Sequence, residues 1–236
     1  MFKIGCCGFP IAQNKYFKEF STIEIQQSFY RNLTEKQVKN WRNKAPLEFE
    51  FVLKAPQCVT HPPNSPTYRR SDLTEEKRKY CGGFRLNEVI EEIMDIFFKR
   101  AAILNTEKFV FQTPASFKPN SENIKTMIEF FNYYKNKGIF IWEPRGKEWT
   151  QEIVKHICQK ANLIHAVDPF LHGPPVWGNF TYFRLHGNLK NYVYSYSDEE
   201  LRNIIKISSP SGYIMFNNSE MYENALRLKK MLAEDK

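Results

Sequence analysis

Eight short runs of apolar, β-branched and aromatic residues recur along the chain, separated by segments with helical periodicity. We predict strands at residues 2–7, 22–28, 48–54, 107–112, 138–143, 163–167, 180–186 and 212–216. Strands that alternate with helices favour a parallel sheet, and eight of them are the number that closes a (β/α)8 barrel. The competing doubly wound sheet would carry a G-x-G-x-x-G turn, which this sequence lacks. The pattern therefore predicts an α/β fold, a TIM-barrel-like single domain over residues 1–236.

The helices are marked by apolar stripes and by N-terminal caps. Residues at spacings of three and four form such stripes at 86–104, 121–135 and near 220–232, where Ser219 is the expected N-cap. Capping boxes mark two further starts, at Thr34…Gln37 and Ser197…Glu200.

Two crossovers make the predicted barrel irregular. Residues 8–21 are a short connection, and residues 169–179 contain too much Pro and Gly for a helix. A third connection is unusually long: residues 55–84 leave strand three at the end of the barrel where active sites lie, and they include a charged stretch at 69–79. This long loop is either a lid or substrate-binding excursion or a surface insertion.

Composition excludes several classes of protein. No apolar run approaches the roughly 18 residues of a spanning helix, and no signal peptide is visible, so we expect a cytoplasmic protein without a membrane partner. Five cysteines without C-x-x-C spacing predict reduced thiols rather than a disulfide framework. A net charge of +8 attracts anions, including nucleic acid, without defining a site.

Polar side chains stand where the predicted strands end, so a barrel would bring them to one mouth. They are Gln26, Lys54, Gln112, Glu143, Asp168, Arg184, His186 and Asn217, with Tyr30, His61 and Arg145 just beyond. Acids, bases and anion-binding groups together supply what catalysis would use.

Glu143-Pro144-Arg145 follows an apolar strand that Pro144 would end. Glu143 could serve as a general base or metal ligand and Arg145 could bind an anion, or the two could form a structural ion pair. Likewise Arg184 and His186 share one face of their strand, and the arginine would keep a catalytic histidine neutral. A structural histidine is the alternative.

Asn217-Asn218-Ser219 lies between strand eight and the last helix. Two amides, a hydroxyl and the backbone N–H groups of the helix start could bind an anion, or the amides could merely cap the helix. A metal could be held by Glu143, Asp168 and His186 at the ends of strands five, six and seven, although no compact motif supports it.

Eight short motifs occur in order along the chain: GCCGFP, IEIQQSFYR, FVLKAPQCVTHP, SPTYRR, FQTPASF, EPRGKEW, RLHG and FNNS. Together they resemble the YecE-like family, domain of unknown function 72. The family's usual G-T-S-G-W opening is replaced by Gly5-Cys6-Cys7-Gly8-Phe9, and its E-x-N-x-T-F-Y by residues 24–30, as in a divergent subgroup. The resemblance implies a TIM-barrel-type fold and gives no reaction. It also implies a set of motif residues: Glu24, Tyr30, Lys54, His61, Gln112, Glu143, Arg145, Arg184, His186, Asn217 and Asn218.

Our first hypothesis is an enzyme acting on an anionic small molecule, phosphorylated or sugar-containing, at the barrel mouth. Glu143, His186 and Asp168 would be catalytic, with Asp168 assisting or binding a metal. The substrate would be held by Lys54, Tyr30, His61, Gln112, Arg145, Arg184, Asn217 and Asn218. A nucleic-acid-binding or nuclease-like barrel using the basic loop at 69–79 is the alternative, and a non-catalytic barrel serving a protein partner is a third.

Overall fold

Eight parallel strands form the centre of the computed structural model, which describes residues 2–188, 190–208 and 211–234. They are β1 (Phe2–Cys6), β2 (Thr22–Ile25), β3 (Glu50–Lys54), β4 (Lys108–Gln112), β5 (Ile139–Glu143), β6 (Leu163–Val167), β7 (Thr181–Leu185) and β8 (Gly212–Phe216). Their order is β1-β8-β7-β6-β5-β4-β3-β2, and a parallel bridge between Cys7 and Glu24 joins the two ends. The strands thus form a nearly closed barrel, which confirms the predicted TIM-barrel-like fold.

Helices fill the connections around the barrel. They are α1 (Gln13–Glu19), α2 (Gln27–Tyr30), α3 (Glu35–Lys44), α4 (Gln57–Thr60), α5 (Glu75–Arg78), α6 (Glu88–Leu104), α7 (Ser121–Tyr133), α8 (Gln151–Ala161), α9 (Pro169–His172), α10 (Asp198–Ile207) and α11 (Met221–Glu234). The three helices predicted from apolar stripes are confirmed as α6, α7 and α11. In the described part of the chain, no helix combines the length and apolarity that crossing a bilayer needs.

Several predicted boundaries were wrong. Strand β2 ends at Ile25 rather than at 28, because the next residues turn into α2, where the Ser28 hydroxyl donates to the carbonyl of Lys54 at 2.6 Å. Residues 169–179 were expected to contain no helix, yet Pro169 begins the single turn of α9. Proline is tolerated at a first helical position, and the Asp168 side chain caps that turn by accepting from Phe170 N–H at 3.1 Å.

Two of the predicted N-caps, Ser197 and Thr34, are confirmed, and the third, Ser219, was wrong. Ser197 and Glu200 form the complete capping box of α10. Thr34 caps α3, but Gln37 donates its side-chain N–H to Gln27 Oε1 at 2.6 Å, an interaction outside the box. Helix α11 begins at Met221, so Glu220 and not Ser219 precedes it. Helix α8 was missed, although Thr150 caps it and its buried residues recur at helical spacing.

The core has two layers that follow from the alternation of side chains along each strand. Phe109, Phe131 and Phe140 pack between strands and helices. Inside the barrel lie Val52, Val110, Ile141, Ala166, Tyr182 and Met215. Residues two positions beyond this interior layer point into the carboxyl end of the barrel, and there the side chains become polar.

The long loop at residues 55–84 is folded rather than structureless. It contains α4, a 3-10 helix at Pro66–Arg70 and α5. Its end returns to α4, since Gly82 N–H donates to Cys58 O at 2.7 Å and Phe84 N–H donates to Val59 O at 2.8 Å. The loop is therefore fixed to the rim of the barrel mouth.

Candidate functional site

Arg184 is the centre of a buried ionic network at the carboxyl end of the barrel. Its guanidinium donates from Nε and Nη2 to the two carboxylate oxygens of Glu24, at 3.0 and 2.8 Å, and from Nη1 to Glu143 Oε2. Tyr182 donates its hydroxyl to Glu24 at 2.8 Å, and Gln26 donates its amide to the same carboxylate. Arg184 and Glu24 are both fully buried, so this network forms the floor beneath the mouth.

Both oxygens of Glu143 are occupied by arginines. Oε2 accepts from Arg184, and Oε1 lies 2.7 Å from Arg145 Nη2. Burial alone would raise the pKa of this carboxyl, but the charges of Arg145 and Arg184 outweigh burial and lower it well below its usual range. Glu143 is therefore a permanent anion that holds two cations in place.

His186 lies between an arginine and an aspartate. Its Nε2 is 2.7 Å from Arg145 Nη2, and its Nδ1 is 3.4 Å from Asp168 Oδ2. Asp168 Oδ2 also accepts the backbone N–H of His186 at 2.7 Å, which fixes the position of the ring. Burial lowers the pKa of His186, Glu143 opposes this, and the charges of Arg184 and Arg145 lower it further, so the imidazole is neutral.

Of the three residues considered as metal ligands, Glu143 and Asp168 flank opposite nitrogens of the His186 ring, so the three do not face one point in space. Glu143 approaches His186 Nε2 at 3.6 Å, whereas Asp168 lies on the Nδ1 side. Across residues 2–188, 190–208 and 211–234, no group of three His, Cys, Asp or Glu side chains is arranged to hold a metal ion. The geometry thus gives the proposed metal set no support.

Above this network lies an open cavity of about 540 Å³, which we call the mouth cavity. It is lined by Gln26, Phe29, Tyr30, Lys54, His61, Thr67, Arg70, Gln112, Asn191, Tyr192, Asn217, Asn218, Ser219 and Met221. The structure therefore brings together six of the eight residues predicted to hold a substrate. The three predicted catalytic residues and Arg184 lie beneath this lining, and Arg145 is largely buried beside Glu143.

Lys54 carries its amine to the floor of the mouth cavity from the end of β3. Its Nζ donates to Gln112 Oε1 at 2.8 Å and lies 4.1 Å above the centre of the Phe29 ring. Burial and the charge of Arg184 lower the pKa of Lys54 to about 7. Close by, burial and Lys54 lower the pKa of His61 to about 4, which leaves that ring neutral.

Arg70 and Tyr192 are among the lining residues that were not predicted as site residues. Arg70 lies over the Tyr30 ring, with its guanidinium carbon 5.4 Å from the ring centre. It belongs to the charged stretch 69–79. The sequence shows the charge of this stretch but not that Arg70 lines the mouth cavity. Tyr192 packs against His186 with ring centres 5.8 Å apart, and it also lines the mouth cavity. Its left-handed backbone (φ 61°) is not marked by glycine or any motif in the sequence.

The Asn217–Ser219 turn has divided roles. Asn217 continues the strand by donating its backbone N–H to Leu185 O at 2.8 Å, and its side chain lines the mouth cavity. Asn218 is buried and donates its amide to Tyr194 O at 2.7 Å and to Asn224 Oδ1 at 2.9 Å. Asn218 also lines the mouth cavity, but its amide N–H groups anchor the loop after β7.

A larger cavity, of about 710 Å³, lies at the opposite end of the barrel. Its walls include Phe2, Ile4, Phe20 and Leu232, and Lys18 and Lys229 lie at its edge. None of the predicted site residues lines it. We therefore place the candidate site at the smaller, polar mouth cavity.

Comparison with known proteins gives a family and a fold. A family model described as "Protein of unknown function DUF72" matches residues 13–236. No curated protein matches the chain. A DUF72 family protein from Enterococcus faecalis superimposes with a TM-score of 0.76 and 21% identity, covering 99% of this chain and 98% of that chain.

Two further solved structures share the barrel. A xylose isomerase domain containing protein from Salmonella typhimurium has a TM-score of 0.58 and 10% identity, covering 98% of this chain and 95% of its own. Endonuclease IV from Thermus thermophilus has a TM-score of 0.51 and 11% identity, covering 99% of this chain and 100% of its own. At such identities these likenesses concern the fold alone.

Proposed function

The chain belongs to the DUF72 family, and we propose that its barrel mouth binds and transforms an anionic small molecule carrying a phosphate or a sugar group. The family's description assigns no reaction, so the proposal depends on the chemistry of the site itself.

One observation carries this proposal: the described side chains that line the mouth cavity include cations and amides but no carboxylate. Lys54 and Arg70 supply positive charge, and Gln26, Gln112 and Asn217 supply amide donors. The nearby carboxylates of Glu24 and Glu143 are paired with arginines beneath the floor. An anion entering the cavity would therefore meet donors without meeting an opposing negative charge.

Catalysis is assigned to the layer below the cavity. His186, oriented by Asp168 and neutral, is the candidate general base, and Glu143 positions Arg145 against it. His186 is fully buried and Tyr192 both contacts its ring and lines the cavity, so we infer that a substrate displaces Tyr192 to reach His186. The xylose isomerase domain and endonuclease IV likenesses are compatible with a sugar or phosphate ligand, and they add no residue roles.

Ligand-dependent stabilisation tests the proposal. Thermal unfolding would be followed at low salt with glycerol 3-phosphate, glucose 6-phosphate, citrate, and neutral glycerol and glucose as a reference set. A ligand at about 100 times its Kd stabilises the folded protein by about 2.7 kcal/mol. We expect at least one anion to raise the Tm and the neutral compounds to have no effect.

Asn217→Asp is the decisive variant because it places a carboxylate in the cavity wall, and it should abolish that stabilisation. Asn203→Asp makes the same charge change on the exposed face of α10 and should preserve it. Equal responses of the two variants would overturn the proposal.

The nucleic-acid alternative is favoured by one observation, the cation–π contact of Arg70 with Tyr30 in the lining of the mouth cavity. Stacked arginine and aromatic planes are a common platform for unpaired bases. Binding of a fluorescent single-stranded oligonucleotide should then weaken steeply as salt rises from about 50 to 200 mM. Binding that does not change over this range, or its absence at low salt, would contradict this alternative.

A further inference from the structure

The side-chain amine of Lys54 lies in an environment unlike that of an ordinary surface lysine. Its side chain ends β3 and is only 6% exposed, yet its tip lies on the floor of a cavity that opens to solvent. Surface lysines keep their charge in water, whereas this one lies against the face of Phe29 with Gln112 as its hydrogen-bonding partner. A buried but reachable amine is the arrangement that nucleophilic lysines need.

The charged groups described around Lys54 form no direct ion pair with its amine. Arg184 disfavours its protonation, while Glu24, Glu143 and Cys7 favour it. Both carboxylates are committed to the guanidinium groups of Arg184 and Arg145, and burial keeps the Cys7 thiol protonated by raising its pKa. With burial as the largest effect, the pKa of Lys54 falls to about 7, so a large share of the amine is unprotonated at neutral pH.

We propose that Lys54 is a catalytic nucleophile that forms an imine with the carbonyl carbon of an anionic aldehyde or ketone bound in the mouth cavity. The proposal rests on the proposed function for the place and charge of the ligand, and it adds the class of substrate and the covalent step. Arg70 and Asn217 line the same cavity and would hold the anionic group of the ligand.

The step balances without an added reagent. The lone pair of the unprotonated Nζ attacks the carbonyl carbon, the C–O π bond breaks towards oxygen, and a proton moves from nitrogen to that oxygen to give a carbinolamine. Loss of the hydroxyl group with one further proton releases water and leaves the C=N bond. No electron is gained or lost overall.

The alternative is that Lys54 only attracts anions as a point charge. Pyridoxal 5′-phosphate distinguishes the two roles because it joins an aldehyde to a phosphate. The full-length protein would be incubated with less than one equivalent of this probe and then treated with borohydride, whose hydride reduces an imine to a stable secondary amine. Peptide mass spectrometry locates the product.

We expect the adduct predominantly at Lys54, with a labelling rate that rises with pH around a midpoint of about 7. Lys54→Arg should lose that adduct, and Lys108→Arg, at the other end of the barrel interior, should keep it. Labelling spread over exposed lysines, or a midpoint near 10 at Lys54, would overturn the inference. The pH profile of the natural chain decides this even if Lys54→Arg does not fold.

Two companion measurements separate this inference from the proposed function. If pyridoxal, which lacks the phosphate, labels Lys54 as fast as the phosphorylated probe, the imine chemistry stands and the anion site fails. If glycerol 3-phosphate stabilises the protein through Asn217 but Lys54 stays unlabelled, the anion site stands and the nucleophile is overturned. Selective labelling that glycerol 3-phosphate inhibits would support both.

Discussion

Arg145 Nη2 lies 2.7 Å from His186 Nε2 in the layer beneath the mouth cavity. An arginine nitrogen can only donate a hydrogen bond, so Nε2 must accept. The neutral ring therefore carries its proton on Nδ1, the nitrogen that faces Asp168 Oδ2 at 3.4 Å. Nε2, the nitrogen that we propose as the general base, is therefore occupied by the Arg145 guanidinium.

This relationship predicts a defined tautomer. Nitrogen-15 NMR of His186 at neutral pH should show a protonated Nδ1 and an unprotonated Nε2. Arg145→Met should raise the pKa of His186, because it removes one of the positive charges that lower it. Arg202→Met, on the exposed face of α10, is the matched control and should leave the ring unchanged. A proton on Nε2 in the natural chain would contradict the assignment.

The buried ionic network predicts an unequal pair of stability effects. Arg184→Met leaves Glu24 and Glu143 buried without their shared partner, and such changes cost about 3–5 kcal/mol. Lys118→Met removes an exposed ion pair with Glu148 and should cost about 0–1 kcal/mol. Urea unfolding measures both, and similar losses for the two variants would show that the network is not stabilised by Arg184.

The close approach of Tyr194 to Gly187 predicts that alanine is tolerated less well at Gly187 than at Gly83. A Cβ at this position would lie 2.3 Å from Tyr194 Cβ, and φ is +64°. Gly83 has nearly the same φ, +66°, with nothing within 4 Å of the added atom. Gly83→Ala should therefore cost only the left-handed strain, about 1–2 kcal/mol. Gly187→Ala should cost about 1–3 kcal/mol more because Tyr194 must move. Equal unfolding free energies for the two variants would refute this.

Two buried histidines predict that stability falls in mild acid. Burial lowers the pKa of His61 and of His165 to about 4. Between about pH 6.5 and 4 the unfolded chain binds protons at both rings and the folded chain does not. Their contribution to the free energy of unfolding is thus present above pH 6.5 and lost as pH falls.

Urea unfolding at pH 7 and pH 5 tests this pH dependence. His165→Gln should reduce the difference between the two values, and the exposed control His156→Gln should not. A natural chain that is equally stable at both pH values would contradict the prediction.

The sequence predicted the architecture well because strand and helix periodicity is local. The strand starts at residues 2, 163 and 212 agree with the structure, while β2 was overextended because nothing local reveals that Ser28 hydrogen-bonds the end of β3. Strand ends also identified four of the fourteen residues that line the mouth cavity, Gln26, Lys54, Gln112 and Asn217.

The individual roles of the site residues could not be predicted from the sequence. In the sequence alone, Glu143 looks like a free acid. Only the fold brings Arg184 and Arg145 to its two carboxylate oxygens. The same is true of Lys54, whose altered pKa depends on burial against Phe29 and on Arg184, 130 positions away along the chain. Such effects come from contacts between strands that are distant in sequence.

Anion binding in the mouth cavity is the central claim, and anomalous diffraction tests it most directly. Crystals grown without sulfate or phosphate would be soaked in selenate and measured at the selenium absorption edge. We predict a selenium peak in the mouth cavity within about 4 Å of Lys54 Nζ, with Asn217 or Arg70 as a second contact, and no such peak in Asn217→Asp crystals. A mouth cavity without selenium, with peaks only at surface cations such as Lys18 and Lys229 of the opposite cavity, would contradict the account.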